Sequence, residues 1–271
     1  MILKAYPKIN LGLDILRRRP DGYHDIDTLM LPVECVHDIL TIEAAPDKGC
    51  SLSTGGLAID CAADRNLVVK AWFLLKERYG IGGVSMTLEK HIPFGAGLGG
   101  GSADAAAALK GIAEIYGLGL SNEELTQLAA KLGSDVPFFI HPEPTFCRGR
   151  GELLTPADID LSGVWCVVSK PSFGISTAEA YAGVKPHIPE LSLEERLRLP
   201  RSSWQELIVN DFEPSLFANH TALPNIKREM QRCGAFYASL SGSGSAMYGL
   251  FDHEPTYSPI FAGEQTFVCK L

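Results

Sequence analysis

The stretch Pro93-Phe94-Gly95-Ala96-Gly97-Leu98-Gly99-Gly100-Gly101-Ser102 places five glycines directly before an alanine-rich segment. Because glycine has no Cβ atom, backbone N–H groups in such a loop can approach an anion closely. The N-terminus of a following helix adds a potential that favours negative charge. Glycine-rich turns also form where a strand packs tightly on a helix, but the length and glycine density here favour phosphate. We predict nucleotide binding by Pro93, Phe94, Gly95, Ala96, Gly97, Leu98, Gly99, Gly100, Gly101, Ser102 and Ala103.

The residues around this loop can be compared with three known classes of phosphate-binding loop. A Walker A loop ends in Gly-Lys-Ser/Thr, whereas Ser102 follows a glycine. Gly95, Gly97 and Gly100 satisfy GxGxxG, but a dinucleotide fold should show a strand ending in an acid about 20 residues later. Two successive helices are predicted there instead. Protein kinases need downstream HRD and DFG elements, and the sequence contains neither. A different kinase architecture is indicated.

The pattern along the chain predicts a mixture of strands and helices. The loop follows a strand over 84–92 and precedes a helix over 103–116; a second helix begins at the capping box of Ser121 and Glu124 and ends at Gly133. The other predicted elements, in chain order, are a strand over 9–15, a turn at 20–22, a strand over 38–44, a polar loop over 47–56, a helix capped by Asn66 and ended by Gly80, a strand over 163–169, connecting structure over 185–201, a helix over 224–233 stopped by Gly234, and two strands around a glycine turn through Phe251.

Length and composition exclude several classes of protein. A chain of 271 residues favours two domains, and we place the boundary near residue 160, giving domains 1–160 and 161–271. The net charge of −8 argues against a nucleic acid partner. The seven cysteines are odd in number and form no CxxC pair, so we expect reduced, mostly buried thiols. Without a signal-like or membrane-spanning apolar segment, we expect a cytoplasmic protein with no membrane partner.

Several blocks of the sequence resemble the GHMP kinases, the superfamily of galactose, homoserine, mevalonate and phosphomevalonate kinases. Its hallmark loop P-x-x-x-G-L-G-x-G-S matches residues 93–102. The other matching blocks are Pro7-Lys8-Ile9-Asn10-Leu11, Asp21-Gly22-Tyr23-His24, Gly133-Ser134-Asp135-Val136-Pro137-Phe138-Phe139 and Ser241-Gly242-Ser243-Gly244-Ser245-Ala246. The resemblance implies an α+β fold with an N-terminal nucleotide-binding domain, a C-terminal domain built on a ferredoxin-like sheet, and an active site between them.

The resemblance also implies roles for two charged residues. Asp135 follows a helix-ending glycine, where an aspartate most often caps the next helix; by resemblance it accepts the proton of the attacking hydroxyl or mainly orients that hydroxyl. Lys8 could be an ordinary surface lysine; by resemblance it pairs with Asp135 and neutralises charge on the transferred phosphoryl group. ATP is the implied donor. Magnesium would bridge its phosphates, with Ser102 as a ligand.

Further residues are implied to bind substrate or nucleotide. Tyr23 and His24 would contact a cytosine ring, and Tyr181 would cover its opposite face, although Tyr181 could also be a core residue. The remaining implied contacts are Asn10, Ser241 and Gly242 with the substrate, and Asn66, which also caps its helix, near the nucleotide. We expect the arginine run at 17–19 to be solvated.

The resemblance implies a kinase that transfers the γ-phosphoryl group of ATP to the 2-hydroxyl of a cytidine diphosphate-linked methylerythritol, in isoprenoid precursor synthesis. Three alternatives remain open. A mevalonate- or homoserine-type kinase would not need Tyr23 or Tyr181, an NAD-dependent oxidoreductase would use the GxGxxG match, and an inactive nucleotide-binding module would not need both Lys8 and Asp135. We expect a monomer or a weak homodimer.

Overall fold

The computed structural model describes residues 1–45, 49–58, 63–255 and 265–271. The chain folds into two compact units. The first unit contains Met1–Pro7, Val36–Phe94 and Gly99–Pro142; the second contains Lys8–Cys35, Gly95–Leu98 and Glu143–Leu271. Both units are therefore discontinuous along the chain, and the single boundary near residue 160 stays a prediction.

Both units contain strands and helices. The strands are β1 (Ile2–Ala5), β2 (Lys8–Arg18), β3 (His24–Pro32), β4 (Asp38–Ala44), β5 (Cys50–Gly56), β6 (Val84–Lys90), β7 (Thr145–Gly149), β8 (Leu153–Pro156), β9 (Trp165–Lys170), β10 (Tyr237–Leu240), β11 (Met247–Phe251) and β12 (Gln265–Lys270). The α-helices are α1 (Leu67–Tyr79), α2 (Gly100–Ile115), α3 (Asn122–Ala129), α4 (Thr177–Ala182), α5 (Leu193–Leu197), α6 (Trp204–Leu207), α7 (Glu213–Asn219) and α8 (Ala222–Arg232). Short 3₁₀ helices lie at Ala63–Arg65, Val136–Ile140 and Arg201–Ser203. Within the described ranges, no helix has the length and apolar character needed to cross a membrane.

The first unit packs helices on a four-stranded sheet of order β1-β4-β6-β5. Ala105, Ala106 and Ala108 of α2 are fully buried, and small side chains let this helix lie close to the sheet. A Cβ atom on Gly111 would lie only 2.5 Å from Leu3 Cδ1. The alanine-rich sequence after the glycine loop therefore serves close packing as well as helix formation.

Strand β5 corrects the predicted polar loop over 47–56. Its backbone pairs in parallel with β6, from Cys50 opposite Val84 to Gly56 opposite Lys90. Its sequence is rich in serine and glycine, so hydrogen bonding to a neighbouring strand, rather than an apolar pattern, fixes this segment as a strand. Residues 47 and 48 of the predicted loop lie outside the described residues.

The second unit contains a sheet of order β2-β3-β7-β8 with antiparallel pairs throughout. The predicted strand over 9–15 is present, but residues 8–15 are all buried, so this part of β2 is covered on both faces rather than half-buried. The pairing with β3 shifts register between Leu11 and Leu13. Gly12 lies in this bulge with φ of 73°, a conformation that favours glycine.

The second unit also contains a sheet of order β10-β11-β9-β12, again with antiparallel pairs. Strands β9 and β10 are separated in sequence by helices α4 to α8, and β11 lies between them in the sheet. This is the split arrangement of a ferredoxin-like sheet. Together with the mixed helix and strand content, it confirms the predicted α+β fold class.

Helix boundaries show where local signals succeed and fail. Asn66 caps α1 and Gly80 ends it with φ of 65°, as predicted. Helix α2, however, begins at Gly100 rather than near residue 103, because Gly99 takes the left-handed conformation at the N-cap. The segment over 185–201 is not only connecting structure, since Ser192 forms a capping box at the start of α5.

The reduced state expected stays a prediction; the described cysteines that lie outside any disulfide are Cys35, Cys50, Cys147, Cys166, Cys233 and Cys269. The expectation that most would be buried is wrong for this set, because only Cys147 and Cys166 are buried and the others are half-buried. Cys61 lies outside the described residues.

Candidate active site

In the second unit, the first half of the glycine loop is held against the turn between β10 and β11. The Ser245 N–H donates to the Gly95 carbonyl at 3.1 Å, and the Ser241 hydroxyl donates to the Gly97 carbonyl at 3.0 Å. A Cβ atom on Gly97 would lie 1.9 Å from the Ser241 carbonyl oxygen, and φ at Gly97 is +73°. Gly97 therefore has to be glycine for the two turns to meet.

Lys8 lies beside this loop and is only 3% exposed, so it is not an ordinary surface lysine. Its ammonium group donates to Asn10 Oδ1 at 2.6 Å and to the Gly97 carbonyl at 2.7 Å. Its backbone N–H donates to the Leu98 carbonyl at 3.0 Å. The start of β2 therefore fixes a cation against the backbone of the glycine loop.

Buried polar groups orient Asn10 next to that cation. The Asn10 amide donates to Thr28 Oγ1 at 3.0 Å, and the Thr28 hydroxyl donates to the Gly12 carbonyl at 2.6 Å. The Tyr248 hydroxyl donates to the Asn10 carbonyl at 2.7 Å. These bonds leave Asn10 Oδ1 directed at Lys8.

Gly242 completes the group. A Cβ atom there would lie 3.2 Å from both Asn10 Oδ1 and Lys8 Nζ, and 3.1 Å from the Gly97 carbonyl oxygen. We call Lys8, Asn10, Gly97, Ser241 and Gly242 the Lys8 cluster. It offers a buried positive charge beside a glycine loop, which is an arrangement that can stabilise an anionic phosphoryl group.

In the first unit, Gly100 to Ser102 form the first turn of α2. The end of β6, just before the glycine loop, is fixed by a buried ion cluster of Asp38, Lys90 and Asp104. The Lys90 ammonium pairs with Asp38 and lies 2.6 Å from Asp104 Oδ2. Asp38 Oδ1 accepts the backbone N–H groups of residues 91 and 92 at 2.6 and 2.8 Å.

The electrostatics of this ion cluster are dominated by Asp104. Burial raises the pKa of Asp104 to about 7, and the Lys90 ammonium acts in the opposite direction. Asp104 Oδ1 is buried without a hydrogen-bond partner. Two carboxyl groups thus share one ammonium beneath the N-terminus of α2, and the protonated form of Asp104 is favoured there.

Asp135 lies at the N-cap position of the 3₁₀ helix Val136–Ile140. Its side chain makes no capping hydrogen bond to that helix, and the residue is half-buried. The capping alternative for Asp135 therefore has no support from this contact. Asn66 does cap its helix, through a hydrogen bond from the Val68 N–H to Oδ1 at 3.0 Å.

The residues predicted to hold a base are only partly brought together. His24 and Tyr181 stack with ring centroids 4.7 Å apart and an interplanar angle of 21°. Tyr181 also meets Phe212 edge-on at 4.9 Å. Tyr23 is 55% exposed, with the Arg150 guanidinium 5.2 Å from its ring centre. Tyr181 therefore packs on the core and also stacks on His24, and its role in base binding stays a prediction.

Comparison with known proteins identifies the family. The model of the GHMP kinase N-terminal domain matches residues 66–143, and the model of the GHMP kinase C-terminal domain matches residues 190–257. A 4-diphosphocytidyl-2-C-methyl-D-erythritol kinase from Bacteroides thetaiotaomicron is 44% identical over 272 residues, covering 100% of this chain and 99% of the relative. The chain belongs to the GHMP kinases. Family membership confirms the predicted ATP-dependent small-molecule kinase and excludes the NAD-dependent oxidoreductase.

Solved structures agree with this assignment. A crystal structure of 4-(cytidine 5'-diphospho)-2C-methyl-D-erythritol kinase has a TM-score of 0.80 at 33% identity, covering 99% of this chain and 98% of that one. Homoserine kinase from Cytophaga hutchinsonii has a TM-score of 0.71 at 17% identity, covering 98% of this chain and 94% of that one. The second similarity concerns the fold alone.

Several polar residues of this GHMP kinase were missed by the sequence prediction. Asn210 donates to the carbonyls of Leu240 and Gly242, each at 2.9 Å, and so supports the turn that carries part of the Lys8 cluster. Its position beside Asp211 in an otherwise apolar stretch is a signal that could have drawn attention to it. The Asp38, Lys90 and Asp104 cluster has no local signal, because its members are far apart in sequence.

The arginine run at 17–19 is exposed or half-exposed, as expected. Arg17 pairs with Asp25, and Arg19 pairs with Asp21 and Asp25 at 3.0 and 2.9 Å. These contacts occupy the two guanidinium groups with neighbouring carboxylates.

Proposed function

We propose that this GHMP kinase transfers the γ-phosphoryl group of ATP to the 2-hydroxyl of 4-diphosphocytidyl-2-C-methyl-D-erythritol, a step of isoprenoid precursor synthesis. The observation that carries the proposal is the 44% identity to a kinase of that name over essentially the whole of both chains. The Lys8 cluster supports it, because the chain keeps a buried cation against its glycine loop.

The phosphate groups of ATP bind at the glycine loop and the N-terminus of α2 in this proposal. The first turn of a helix of 16 residues supplies N–H groups without intrahelical acceptors. The helix dipole adds to their attraction for anions. Gly100 has no room for a side chain, since a Cβ atom would lie 2.8 Å from Ile92 Cγ2. Packing against Ile92 therefore requires glycine at this position.

Lys8 and Asp135 carry the chemistry. Phosphoryl transfer depends mainly on positioning and charge stabilisation, and the Lys8 ammonium is held in one orientation by Asn10 and Gly97. It neutralises charge that develops on the transferred phosphoryl group. Asp135 accepts the proton of the substrate hydroxyl or holds that hydroxyl in place.

Magnesium fits this site as an ion held mainly by the nucleotide. Among the described residues, no group of three or more His, Cys, Asp or Glu side chains is arranged to hold a metal ion. Mg²⁺ usually binds through substrate phosphates, water and one or two protein ligands. Ser102, in the first turn of α2, is the residue that we propose as its ligand. When bound, the ion would neutralise phosphate charge.

The cytidine end of the substrate binds near His24 and Tyr181. Their stacked rings offer a flat aromatic surface. A base can stack on this surface or insert between the two rings. Burial and the nearby Arg18 lower the pKa of His24, so its imidazole is neutral at neutral pH and can hydrogen-bond the edge of a base. Tyr23, exposed at the preceding turn, is available to cover the other side.

Asp135→Asn tests the proposed chemistry. We expect ADP release with the cytidine substrate to fall by ~10² to 10⁴-fold, as is typical of a lost acid–base group, while ATP binding is retained. Asp158→Asn is the matched control, because Asp158 is an exposed aspartate outside the site. Near-normal turnover in Asp135→Asn would remove this residue from the mechanism.

We also propose that the enzyme works in the cytoplasm as a monomer or weak homodimer.

A mevalonate- or homoserine-type kinase is the second candidate, favoured by the shared fold alone. Such an enzyme has no use for a base-binding surface. Under that alternative, removal of the Tyr181 ring would leave substrate kinetics unchanged.

A further inference from the structure

Lys90 joins the two segments that lie on either side of the glycine loop. Its ammonium group pairs with Asp38, at the start of β4, and lies 2.6 Å from Asp104 Oδ2 in α2. The other oxygen of Asp38 accepts the backbone N–H groups of residues 91 and 92, at 2.6 and 2.8 Å. One buried lysine therefore connects the end of β6, which leads into the loop, with the helix that follows the loop.

The two ends of the glycine loop meet beside this ammonium group. A Cβ atom on Gly100 would lie 2.8 Å from Ile92 Cγ2 and 3.5 Å from Lys90 Nζ. The first residue of α2 therefore packs on the last residues before the loop. Closing a loop costs conformational entropy, and contacts that already hold its ends together reduce the cost of ordering it around a ligand.

Stability alone does not account for three buried charged side chains at this point. A buried ion pair often stabilises a protein no more than apolar side chains of similar size would, and here one ammonium faces two carboxyl groups. Asp104 Oδ1 is buried without a hydrogen-bond partner. The charged groups add direction, because the hydrogen bonds of Lys90 and Asp38 fix the positions of particular segments.

The charge of Lys90 also bears on the proposed phosphate site. The first turn of α2 attracts anions through its N–H groups and its dipole, and the Lys90 ammonium lies close to Gly100 at the start of that turn. Without this ammonium, the Asp38 carboxylate would be left as an uncompensated negative charge that opposes a phosphate group there. Lys90 therefore offsets negative charge that the unit itself carries beside the turn.

We propose that Lys90 is a positioning residue for ATP, which holds the two ends of the glycine loop together through Asp38 and Asp104 and offsets the charge of Asp38 beside the bound phosphates. This inference rests on the proposed function, because it takes the glycine loop as the phosphate site. Lys90 acts through the backbone rather than by touching the nucleotide, since its ammonium group is buried and paired with two carboxyl groups. Its loss should weaken ATP binding and leave the transfer step intact.

Lys90→Met tests the inference, because methionine has a similar length and no charge. Isothermal titration calorimetry measures the binding of the ATP analogue AMPPNP with Mg²⁺, and ADP release gives kcat and the KM of each substrate. We expect Kd for AMPPNP and KM for ATP to rise at least about tenfold, while kcat and KM for the cytidine substrate change less than about twofold. A purely structural role would instead lower kcat with the fraction of folded enzyme and leave KM for ATP unchanged.

Arg196→Met is the matched control in the second unit. Arg196 is a buried cation that pairs with the buried Asp14, and Asp14 Oδ1 also lacks a hydrogen-bond partner. The guanidinium group also donates to the Leu207 carbonyl at 2.9 Å, so its loss disturbs the packing of α5. This variant leaves a buried carboxylate without its cation and should lose stability, but Kd for AMPPNP should not change.

A second substitution separates the charge of Lys90 from its contacts. Asparagine at position 38 keeps an oxygen that can accept the N–H groups of residues 91 and 92 but removes the negative charge. Adding Asp38→Asn to Lys90→Met should therefore recover at least about threefold of the lost affinity for AMPPNP. No recovery would overturn the proposed charge balance.

Hydrogen exchange of the wild-type chain tests the inference even if Lys90→Met fails to fold. The amides of residues 91 and 92 should exchange at least about threefold more slowly with AMPPNP bound, and the amides of β9 should change less. Equal exchange at residues 91 and 92 with and without AMPPNP would overturn the inference, as would a Kd in Lys90→Met within about twofold of the wild type. No binding of AMPPNP by the wild type would overturn the proposed nucleotide site itself, and the inference with it.

Discussion

Replacing Gly97 by alanine should separate the glycine loop from the turn that carries Ser241. The new Cβ atom would lie 1.9 Å from the Ser241 carbonyl oxygen and 2.9 Å from the Gly244 nitrogen, and side-chain carbons essentially never come within 3.0 Å of such atoms. The backbone must therefore move by about 1.1 Å at the first contact. Both partners are backbone atoms, so no side chain can rotate away to relieve the contact.

The expected loss of stability in Gly97→Ala has two parts. The left-handed conformation, with φ of +73° at Gly97, costs an alanine roughly 1–2 kcal/mol. Displacement also weakens the hydrogen bond from Ser241 to the Gly97 carbonyl, worth ~1 kcal/mol, and the bond from the Lys8 ammonium, worth ~1.5–3 kcal/mol. We expect a loss of roughly 3 kcal/mol or more in the free energy of unfolding, and at least a tenfold lower kcat/KM for ATP.

Gly234→Ala is the matched control in the same unit. Gly234 has a φ of +97°, and a Cβ atom there would meet nothing within 4 Å, so it carries the conformational cost without the steric one. Urea unfolding followed by circular dichroism, with ADP release as the activity assay, should show a smaller loss of stability and normal activity. Equal unfolding free energies for the two variants, with normal activity in Gly97→Ala, would refute the contact between the loop and the Ser241 turn.

Three further outcomes are expected. Asp104 has a folded pKa of about 7 against an ordinary value of 3.8, so its contribution to stability is present at low pH and is lost as pH rises from about 4 to 7. Between pH 5 and 7.5, the free energy of unfolding measured in urea should fall by on the order of 2 kcal/mol more for the wild type than for Asp104→Asn. Parallel pH profiles for the two proteins would contradict this. Ser241→Ala should cost ~1 kcal/mol in unfolding free energy and raise KM for ATP, with unchanged values arguing against its bond to Gly97. Tyr181→Ala should raise KM for the cytidine substrate about tenfold or more without changing KM for ATP. Phe217 is also a partly buried residue packed against the same core cluster, and Phe217→Ala should leave KM for the cytidine substrate unchanged. Equal effects of the two substitutions would point to packing alone.

Local motifs were sufficient to find most of the candidate site. The residues of the Lys8 cluster come from β2, the glycine loop and the β10–β11 turn, and the family resemblance named all of them. Glycine content alone, however, does not distinguish loop from helix, because Gly100 and Gly101 are helical once Gly99 provides the left-handed N-cap. Tertiary packing overrides the low helix propensity of glycine here.

Contacts that are distant in sequence could not be predicted. Lys90 meets Asp38 across 52 residues and Asp104 across 14, and no periodic pattern indicates that three charged residues are buried together. Likewise, β5 depends on hydrogen bonds with β6 rather than on its own side chains. The stacking of His24 rather than Tyr23 on Tyr181 depends on side-chain directions at a turn, which the sequence does not specify.

The substrate assignment is tested most directly by measuring ADP release from Mg-ATP with 4-diphosphocytidyl-2-C-methyl-D-erythritol, mevalonate, homoserine and galactose in separate reactions. We expect turnover with the cytidine compound alone, and its loss in Asp135→Asn but not in Asp158→Asn. Turnover with another of these alcohols, and none with the cytidine compound, would contradict the proposed function while leaving the GHMP kinase family intact.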